Sequence, residues 1–175
     1  MIHCPHCGCK FEEGNVWPKT CQHHRCKRQT WLNPIPAANV LLPCDEGLLV
    51  VRRAIRPVGT LATPGGFVER GETWQEGAVR ELWEEADIVL APSDLKLFWA
   101  ENVPPSPIIL FGASRVVMRM ADLEPFVPND ESLERLVITG PEKMCFPIQT
   151  RVVETFFKWW TGDVAEYHRR LDLLP

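Results

Sequence analysis

Three glutamates near the middle of the chain have a spacing that could bind a divalent metal ion. Glu81, Glu84 and Glu85 fall in a segment, about 73–86, whose apolar residues recur at helical intervals. At about 100° per residue, the three carboxylates share one face of the predicted helix. Their mutual repulsion is relieved when a hard cation such as Mg²⁺, which also bridges to phosphates, lies among them. The spacing indicates a magnesium-type site, although exposed acidic helix faces without a metal are also common.

A second group of potential metal ligands lies at the N-terminus, where five of the seven cysteines precede residue 27. Cys4 and Cys7 have the C-P-x-C-G form that turns two thiolates towards one metal. Cys21 and Cys26 supply a second pair, but four residues separate them instead of the usual two, so His23 could substitute for one cysteine. The weaker candidates are Cys9 and His24. Four thiolates would close the site to solvent, which predicts a structural zinc ion.

The chain around these ligands divides into two unequal parts. Residues 1–33 are poor in Ile, Leu and Val and cannot bury a core of their own, which again favours a metal as their source of stability. The composition changes at Asn33-Pro34-Ile35-Pro36, whose prolines resist both helix and interior strand. We therefore predict a small lobe at 1–33 and a larger domain at 34–175.

The larger domain reads as strands alternating with helices. Apolar runs at 37–42 and 48–53, separated by a glycine-containing loop, predict a hairpin. Thr73 and Glu76 form a capping box for the acidic helix, whose opposite face is apolar and can pack on a sheet. Further strands are expected at 108–111 and 115–118, and a second helix at 150–160. The order predicts an α+β fold with a mixed sheet and helices packed on it.

The acidic helix and the turn before it resemble the Nudix box, G-x5-E-x7-R-E-U-x-E-E-x-G-U. The match begins at Gly66 and Glu72 and ends with the run Arg80-Glu81-Leu82-Trp83-Glu84-Glu85-Ala86-Asp87-Ile88. Asp87 is the one departure, because the family has a glycine there that ends the helix in a left-handed conformation. The chain is thereby identified as a member of the Nudix family, which implies the Nudix α/β/α sandwich.

The resemblance also implies roles for individual residues. Glu81, Glu84 and Glu85 would be ligands of Mg²⁺ or Mn²⁺, with the Gly65 carbonyl adding an oxygen and Gly66 lying close to the substrate. Further implied roles are for Arg80 in orienting the acids and for Glu72 in pairing with Arg80 or the loop. Family enzymes activate a water that attacks a diphosphate phosphorus in line.

Two pairs of residues outside the box complete the predicted site. In relatives a general base or further metal ligand comes from a later loop, where Asp130-Glu131-Ser132-Leu133-Glu134 resembles the family's E-x-x-E segment. We choose Glu131 over Glu134, although an exposed acidic turn is an equally good reading of either. Arg52 and Arg53 could donate to phosphate, or could be strand-end residues in solvent.

Together with the box, the cysteine-rich lobe resembles the zinc ribbon of Nudix proteins such as NADH pyrophosphatases and plant-type FAD or ADP-ribose pyrophosphatases. The S-Q-P-W-P-F-P segment of NADH pyrophosphatases is absent, and the corresponding residues 99–106 read WAENVPPS. The resemblance therefore implies hydrolysis of the diphosphate in a nucleotide derivative, with ADP-ribose or FAD ahead of NADH. Relatives are often homodimers, so a second copy is a conceivable partner.

Composition and charge bear on the other classes of protein to which the chain could belong. A formal charge of −4 argues against a nucleic-acid-binding protein, although Arg25, Lys27, Arg28 and Trp31 in the lobe keep a zinc-ribbon nucleic-acid-binding reading open. The longest apolar stretch falls short of the ~20 residues that span a bilayer, and Met1 leads directly into cysteines without an export signal, so a cytoplasmic location is expected. A catalytically inactive nucleotide sensor is the other alternative, but it would predict loss of box glutamates that this chain retains.

Overall fold

The computed structural model describes residues 1–14 and 16–174. They form two compact units, Met1–Pro34 and Ile35–Pro175. The division falls inside the proline-containing segment at 33–36. No helix among the described residues has the length and apolar character needed to cross a membrane.

The first unit has a two-stranded antiparallel sheet and a very small core. Strand β1 (Lys19–Thr20) pairs with β2 (Gln29–Thr30). The buried apolar side chains are those of Cys4, Phe11 and Cys21, so two of the three are cysteines. So small a core cannot offset the entropy of ordering this segment, and the unit needs another source of stability.

The second unit is built on a seven-stranded sheet. The strands are β3 (Pro36–Cys44), β4 (Gly47–Arg53), β5 (Leu61–Ala62), β6 (Gly65–Phe67), β7 (Leu95–Asn102), β8 (Ile108–Ser114) and β9 (Ser132–Ile138). The main order is β5-β4-β3-β8-β7, while β6 also pairs with β3 and β9 with β4. Because β3 runs parallel to β8 and antiparallel to β4 and β6, the sheet is mixed, which confirms the prediction.

Helices cover both faces of this sheet. Helix α1 (Trp74–Ala86) packs on one face, and α2 (Pro147–Trp159) and α3 (Val164–Leu171) pack on the other. Successive side chains of a strand point to opposite faces, so in β3 Val40 joins the core under α1 and Leu41 joins the core under α2 and α3. The predicted α/β/α sandwich is confirmed.

The predicted hairpin forms with a tighter turn than its sequence suggested. Pro43 pairs with Leu48 and Cys44 with Gly47, so only two residues reverse the chain. A Cβ atom on Gly47 would lie 1.9 Å from the carbonyl oxygen of Ile138 on β9. A side chain at this position would therefore force β9 away from β4.

The strand expected at 115–118 does not form. The Ser114 hydroxyl at the end of β8 bonds to both the N–H and the carbonyl oxygen of Val116, each at 3.0 Å. Met118 makes only an isolated bridge with Cys44. A local side-chain bond therefore competes with sheet pairing at this point and turns the chain out of the sheet.

Other elements begin at residues different from those expected from the sequence. Helix α2 begins at Pro147 rather than near residue 150, since proline is tolerated in the first turn of a helix. The segment 130–134 is not wholly a loop, because β9 starts at Ser132 and includes Glu134. Sequence periodicity also missed β7 and α3.

Candidate active site

Helix α1 is a platform that faces the sheet on one side and carries acids on the other. Thr73 caps its first turn, and the side chain of Glu76 completes the predicted capping box. Of the predicted apolar face, Leu82 and Ala86 are buried against the sheet and Val79 is partly buried there, while Ala78 is buried in addition. This packing fixes the rotation of the helix and so the direction of its glutamates.

Three carboxylates converge where α1 meets the segment before β9. Oxygen atoms of Glu81, Glu85 and Glu131 all lie within 4.8 Å of one another. Glu85 is buried, at 5% exposure, and accepts a hydrogen bond of 2.9 Å from the N–H of Gly65. Burial raises the pKa of Glu85 to about 7, and burial also raises the pKa of Glu81. The protein thus places acids where their negative charge is costly unless a cation neutralises it.

The donor set at this point fits a hard divalent cation. Carboxylate oxygens are the ligands that Mg²⁺ and Mn²⁺ prefer, and Mg²⁺ usually takes only a few from protein and the rest from water and phosphate. Glu81, Glu85 and Glu131 are the residues that would hold such an ion. The structure does not bring Glu84 into this group: its carboxylate binds the guanidinium of Arg80, at 3.0 Å.

Arg80 ties the acids of the box together. It donates to both carboxylate oxygens of Glu72, at 2.8 and 3.2 Å, and to Glu81 at 2.8 Å. A further bond of 3.0 Å reaches the carbonyl oxygen of Phe67 on β6. The Glu72 carboxylate raises the pKa of Arg80, and the hydrogen bond from Arg80 lowers the pKa of Glu72. The expected pairing of Glu72 with Arg80 is present, and the arginine links α1 to β6.

The glycine pair before the helix allows a close approach of chain to acid. A Cβ atom on Gly66 would lie 2.4 Å from the carboxylate carbon of Glu81, and one on Gly65 would lie 2.4 Å from the carbonyl oxygen of Ala38. A side chain at Gly65 would therefore collide with the backbone of β3, and one at Gly66 would displace the Glu81 carboxylate. The contact observed for Gly65 is made by its N–H to Glu85, so the metal role predicted for its carbonyl oxygen stays a prediction.

The acids lie in a cleft of about 780 Å³. Its other walls come from β3, β6, β8, the segments after β4 and β7, and the start of α2. They include Asn39, Ile55, Phe67, Asn102, Ile109, Phe146 and Gln149. The volume falls within the range of about 300–1,000 Å³ typical of small-molecule sites. The cleft is therefore large enough to hold a nucleotide derivative beside the acids.

Arg53 lines the cleft and Arg52 does not. The Arg53 guanidinium lies 5.6 Å from the ring centre of Phe146, and its buried Nε has no hydrogen-bond partner in the described part of the chain. Arg52 instead donates to Glu134 at 2.8 Å and to the carbonyl oxygen of Gly59 at 3.1 Å. Because neighbouring strand residues point to opposite faces, only one of the two arginines can reach the cleft.

A register shift explains how Glu131 joins the cleft while Glu134 pairs outside it. Arg52 lies opposite Glu134, but Arg53 lies opposite Ser132, so one residue of β9 is left over between the two pairs. Ala54 then donates its N–H to the carbonyl oxygen of Glu131, at 2.7 Å. Glu131 and Arg53 therefore line the cleft, whereas Glu134 and Arg52 do not.

Sequence reasoning missed several polar residues that line the cleft. Asn39 is a buried polar residue within the apolar run of β3, and Gln149 is a buried polar residue on the packed face of α2. Arg151, which also lines the cleft, donates to Glu101 at 2.6 Å, and this bond lowers the pKa of Glu101. A polar residue interrupting an apolar pattern was the available signal for Asn39 and Gln149.

The predicted zinc ligands converge in the first unit. The sulfur atoms of Cys4, Cys7, Cys21 and Cys26 all lie within 4.8 Å of one another, with Cys4 and Cys26 at 3.8 Å and Cys7 and Cys21 at 3.5 Å. Four thiolates at this separation fit a tetrahedral zinc ion. They are the residues that would hold it.

The alternative ligands form a second, overlapping group. Atoms of Cys7, Cys9 and His23 also lie within 4.8 Å of one another. The wider spacing of Cys21 and Cys26 does not prevent their sulfur atoms from reaching those of Cys4 and Cys7. Substitution of one cysteine by His23 stays a prediction, because His23 also lies near Cys7.

Comparison with known proteins identifies the class of protein that this fold and site define. A family model described as the NUDIX domain matches residues 33–125, which is more than half of the chain. The chain belongs to the Nudix family.

Individual relatives agree with this assignment. The chain is 39% identical over 64 residues to an ADP-ribose pyrophosphatase of Methanocaldococcus jannaschii, a match covering 36% of this chain and 38% of that protein. It is 30% identical over 139 residues to a NAD-capped RNA hydrolase of Schizosaccharomyces pombe, covering 71% of this chain and 36% of that protein. The chain thus spans little more than a third of the length of these curated relatives.

A solved structure matches nearly the whole chain. The crystal structure of a NUDIX hydrolase from Nitrosomonas europaea covers 97% of this chain and 93% of that chain, with a TM-score of 0.71 and 24% sequence identity. At this identity the likeness shows the fold alone.

Proposed function

We propose that the chain hydrolyses the diphosphate linkage of a nucleoside diphosphate derivative with Mg²⁺ or Mn²⁺ held by Glu81, Glu85 and Glu131. The observation that carries this proposal is the convergence of three carboxylates in a cleft of about 780 Å³ that Arg53 also lines. The cation, when bound, would supply a Lewis acid at the diphosphate oxygens and make the attacking water more acidic.

The chain's own residues would bind and orient the substrate. The unpartnered Nε of Arg53 is a buried donor that suits a phosphate oxygen, since guanidinium groups bind phosphate in charge-assisted pairs. Arg80 holds the Glu81 carboxylate in place, and the Gly65 N–H holds that of Glu85. Glu131 is the exposed member of the acid group, which suits a proton acceptor for the attacking water or a further metal ligand.

One observation favours ADP-ribose or FAD over NADH as substrates. The segment at 99–106, which departs from the sequence typical of NADH pyrophosphatases, contributes Glu101, Asn102, Val103, Pro104 and Ser106 to the cleft. Its departure therefore falls on a wall of the proposed substrate site. Among the relatives, the one named as an ADP-ribose pyrophosphatase supports the first candidate, and the one named as a NAD-capped RNA hydrolase supports a NAD-like substrate.

For the first unit we propose a structural zinc ion bound by Cys4, Cys7, Cys21 and Cys26. The small core of this unit supports the proposal, because such segments commonly depend on a metal for folding. A nucleic-acid-binding role has less support: Lys19 bonds to the carbonyl oxygens of Glu12 and Gly14, and Lys27 to that of Gln22, so both ammonium groups are engaged within the unit.

A substrate screen tests the proposed activity. Purified protein is incubated with ADP-ribose, FAD, NADH, dinucleoside polyphosphates and nucleoside triphosphates, with Mg²⁺, Mn²⁺ or a chelator. We expect metal-dependent release of AMP from ADP-ribose or FAD, with the oxygen of labelled water in a phosphomonoester product. Binding of these compounds without turnover would instead identify a nucleotide sensor, and salt-sensitive RNA binding in a gel shift would favour the nucleic-acid reading.

A further inference from the structure

One wall of the cleft contains a buried amide that is only half satisfied. Gln149, the third residue of α2, is 6% exposed. Its Nε2 donates to Oδ1 of Asn39, at 3.0 Å, but its buried Oε1 has no hydrogen-bond partner in the described residues. Buried amide oxygens in native proteins nearly always accept a hydrogen bond. An exception that lines a substrate cleft therefore points to a partner supplied by the ligand.

The bond to Asn39 holds this amide in one place. Asn39 Oδ1 also accepts from the hydroxyl of Thr63, at 3.0 Å, so it is fixed between two donors. Gln149 follows Ile148 and lies one turn before Val152 and Val153, all of which are buried. Gln149 is thus held on this packed face by its Nε2, and because the residue also lines the cleft, its Oε1 is left for a ligand.

The same contacts place Gln149 close to the acids. Asn39 lies directly opposite Gly65 in the pairing of β3 with β6, where neighbouring strands are about 4.8 Å apart. Gly65 in turn donates its N–H to Glu85. Gln149, Asn39, Gly65 and Glu85 therefore form one continuous series of neighbours. If the diphosphate binds at the acids, as proposed, this series would bring the free amide oxygen close to the group attached to the diphosphate, which in a nucleotide derivative is a sugar.

We propose that Gln149 is a specificity-determining residue that hydrogen-bonds a hydroxyl of the sugar or sugar alcohol esterified to the diphosphate. This inference rests on the proposed function and adds a requirement for a hydroxyl-bearing group at that position. A hydroxyl both donates and accepts, so it complements the amide even if the oxygen and nitrogen of Gln149 and Asn39 exchange places together. An N–H of a nucleobase would satisfy only the free oxygen.

Two variants separate substrate recognition from stability. Gln149→Met keeps the size of the side chain and removes the amide. Thr63→Val is the matched control, because it removes the other bond to Asn39 from a residue that does not line the cleft. Each variant is assayed as the full chain, with its melting temperature measured to establish that it is folded.

Three substrates locate the hydroxyl: ADP-ribose, the pentyl ester of ADP, and ADP-ribose whose adenosine lacks both ribose hydroxyls. We expect Gln149→Met to lower kcat/KM about tenfold with ADP-ribose. With the analogue that lacks the hydroxyl bound by Gln149, the same substitution should lower kcat/KM less than about twofold, because that hydrogen bond is already absent. Thr63→Val should leave the ratios among the three substrates unchanged.

The outcomes distinguish this inference from the proposed function. An equal loss on all three substrates, or no loss with ADP-ribose, would overturn the hydroxyl contact while leaving the hydrolase activity intact. The same ratio change in Thr63→Val would show that Gln149 acts through packing and would also overturn the inference. Wild-type protein that hydrolyses none of the three and none of the compounds of the substrate screen would overturn the proposed function, and this inference with it.

Discussion

The two units of the chain differ in how they hold the residues proposed to bind metals. In Met1–Pro34 the proposed ligands are cysteines, and two of them, Cys4 and Cys21, make up most of the buried apolar core. In Ile35–Pro175 two extensive apolar cores cover both faces of a sheet, and the acids are additional to them. Soft thiolates favour zinc, whereas carboxylates favour Mg²⁺ or Mn²⁺.

We expect a metal in the first unit to support folding and a metal in the second unit to support chemistry. A unit without a sufficient core depends on its metal to fold, so its ligands are part of its architecture. A unit with a large core stays folded without a metal and can hold acids in an unfavourable, desolvated position. The following predictions test this contrast, starting with the largest expected effect.

Glu85→Gln should abolish activity without unfolding the second unit. The substitution removes one charged ligand from the acid group while keeping its shape, so we expect kcat/KM to fall by roughly a thousandfold or more. Burial already disfavours the charged form of Glu85, so the melting temperature of the metal-free protein should not fall.

The matched control is Glu154→Gln, the same chemical change at an exposed position of α2. It should leave both activity and melting temperature unchanged. Retained activity in Glu85→Gln, or equal losses in the two variants, would remove the acid group from the proposed site.

Cys26→Ser should unfold the first unit and leave the second folded. Loss of one thiolate opens the proposed zinc site, so zinc content should fall from about one ion per chain to well below that value. Limited proteolysis with mass spectrometry should then show rapid cleavage within 1–34 and continued protection of 35–174.

Cys145→Ser, which changes a cysteine of the second unit, provides the comparison for this variant. It should retain zinc and the wild-type cleavage pattern. If Cys26→Ser keeps the wild-type pattern as well, the metal does not hold the first unit together.

Glu131→Gln and Glu134→Gln should differ strongly although the two residues lie three positions apart. Glu131 belongs to the acid group, and loss of a proton acceptor or ligand there should lower kcat about a hundredfold. Glu134 makes an exposed ion pair with Arg52, so its loss should change kcat less than about threefold and stability by at most about 1 kcal/mol. Steady-state kinetics and urea denaturation of both variants measure the contrast, and a larger kinetic effect at Glu134 would reverse the assignment.

The smallest effect concerns the end of the acidic helix. Asp87 adopts the left-handed conformation there, with φ 52° and ψ 45°, and donates its N–H to the carbonyl oxygen of Trp83. Glycine adopts this conformation without strain and alanine does not, so Asp87→Gly should be more stable than Asp87→Ala by about 1 kcal/mol in urea denaturation. Both variants lose the same charge, which isolates the backbone effect. Equal stabilities would show that this helix end carries no strain.

Much of the second unit was predictable because its signals are local. The capping box at Thr73 and Glu76, the apolar face with Leu82, and the left-handed end at Asp87 each depend on a few consecutive residues. The first hairpin depends on two adjacent apolar runs. The strand expected at 115–118 failed because one hydroxyl, that of Ser114, outweighed a weak pattern. Strand β9 was missed because its pairing with β4 is made with residues distant in sequence.

The sequence by itself indicated Glu81, Glu85 and the four cysteines as potential metal ligands, since ligand type and helical or knuckle spacing are properties of short segments, but it also indicated Glu84, which pairs with Arg80. Only the tertiary structure decided between equivalent neighbours: Arg53 rather than Arg52, and Glu131 rather than Glu134 at the cleft. It also placed Asn39 and Gln149 together although 110 positions separate them. The reason is physical, because a strand sends adjacent side chains to opposite faces, and which face becomes the cleft depends on register and packing across the whole sheet.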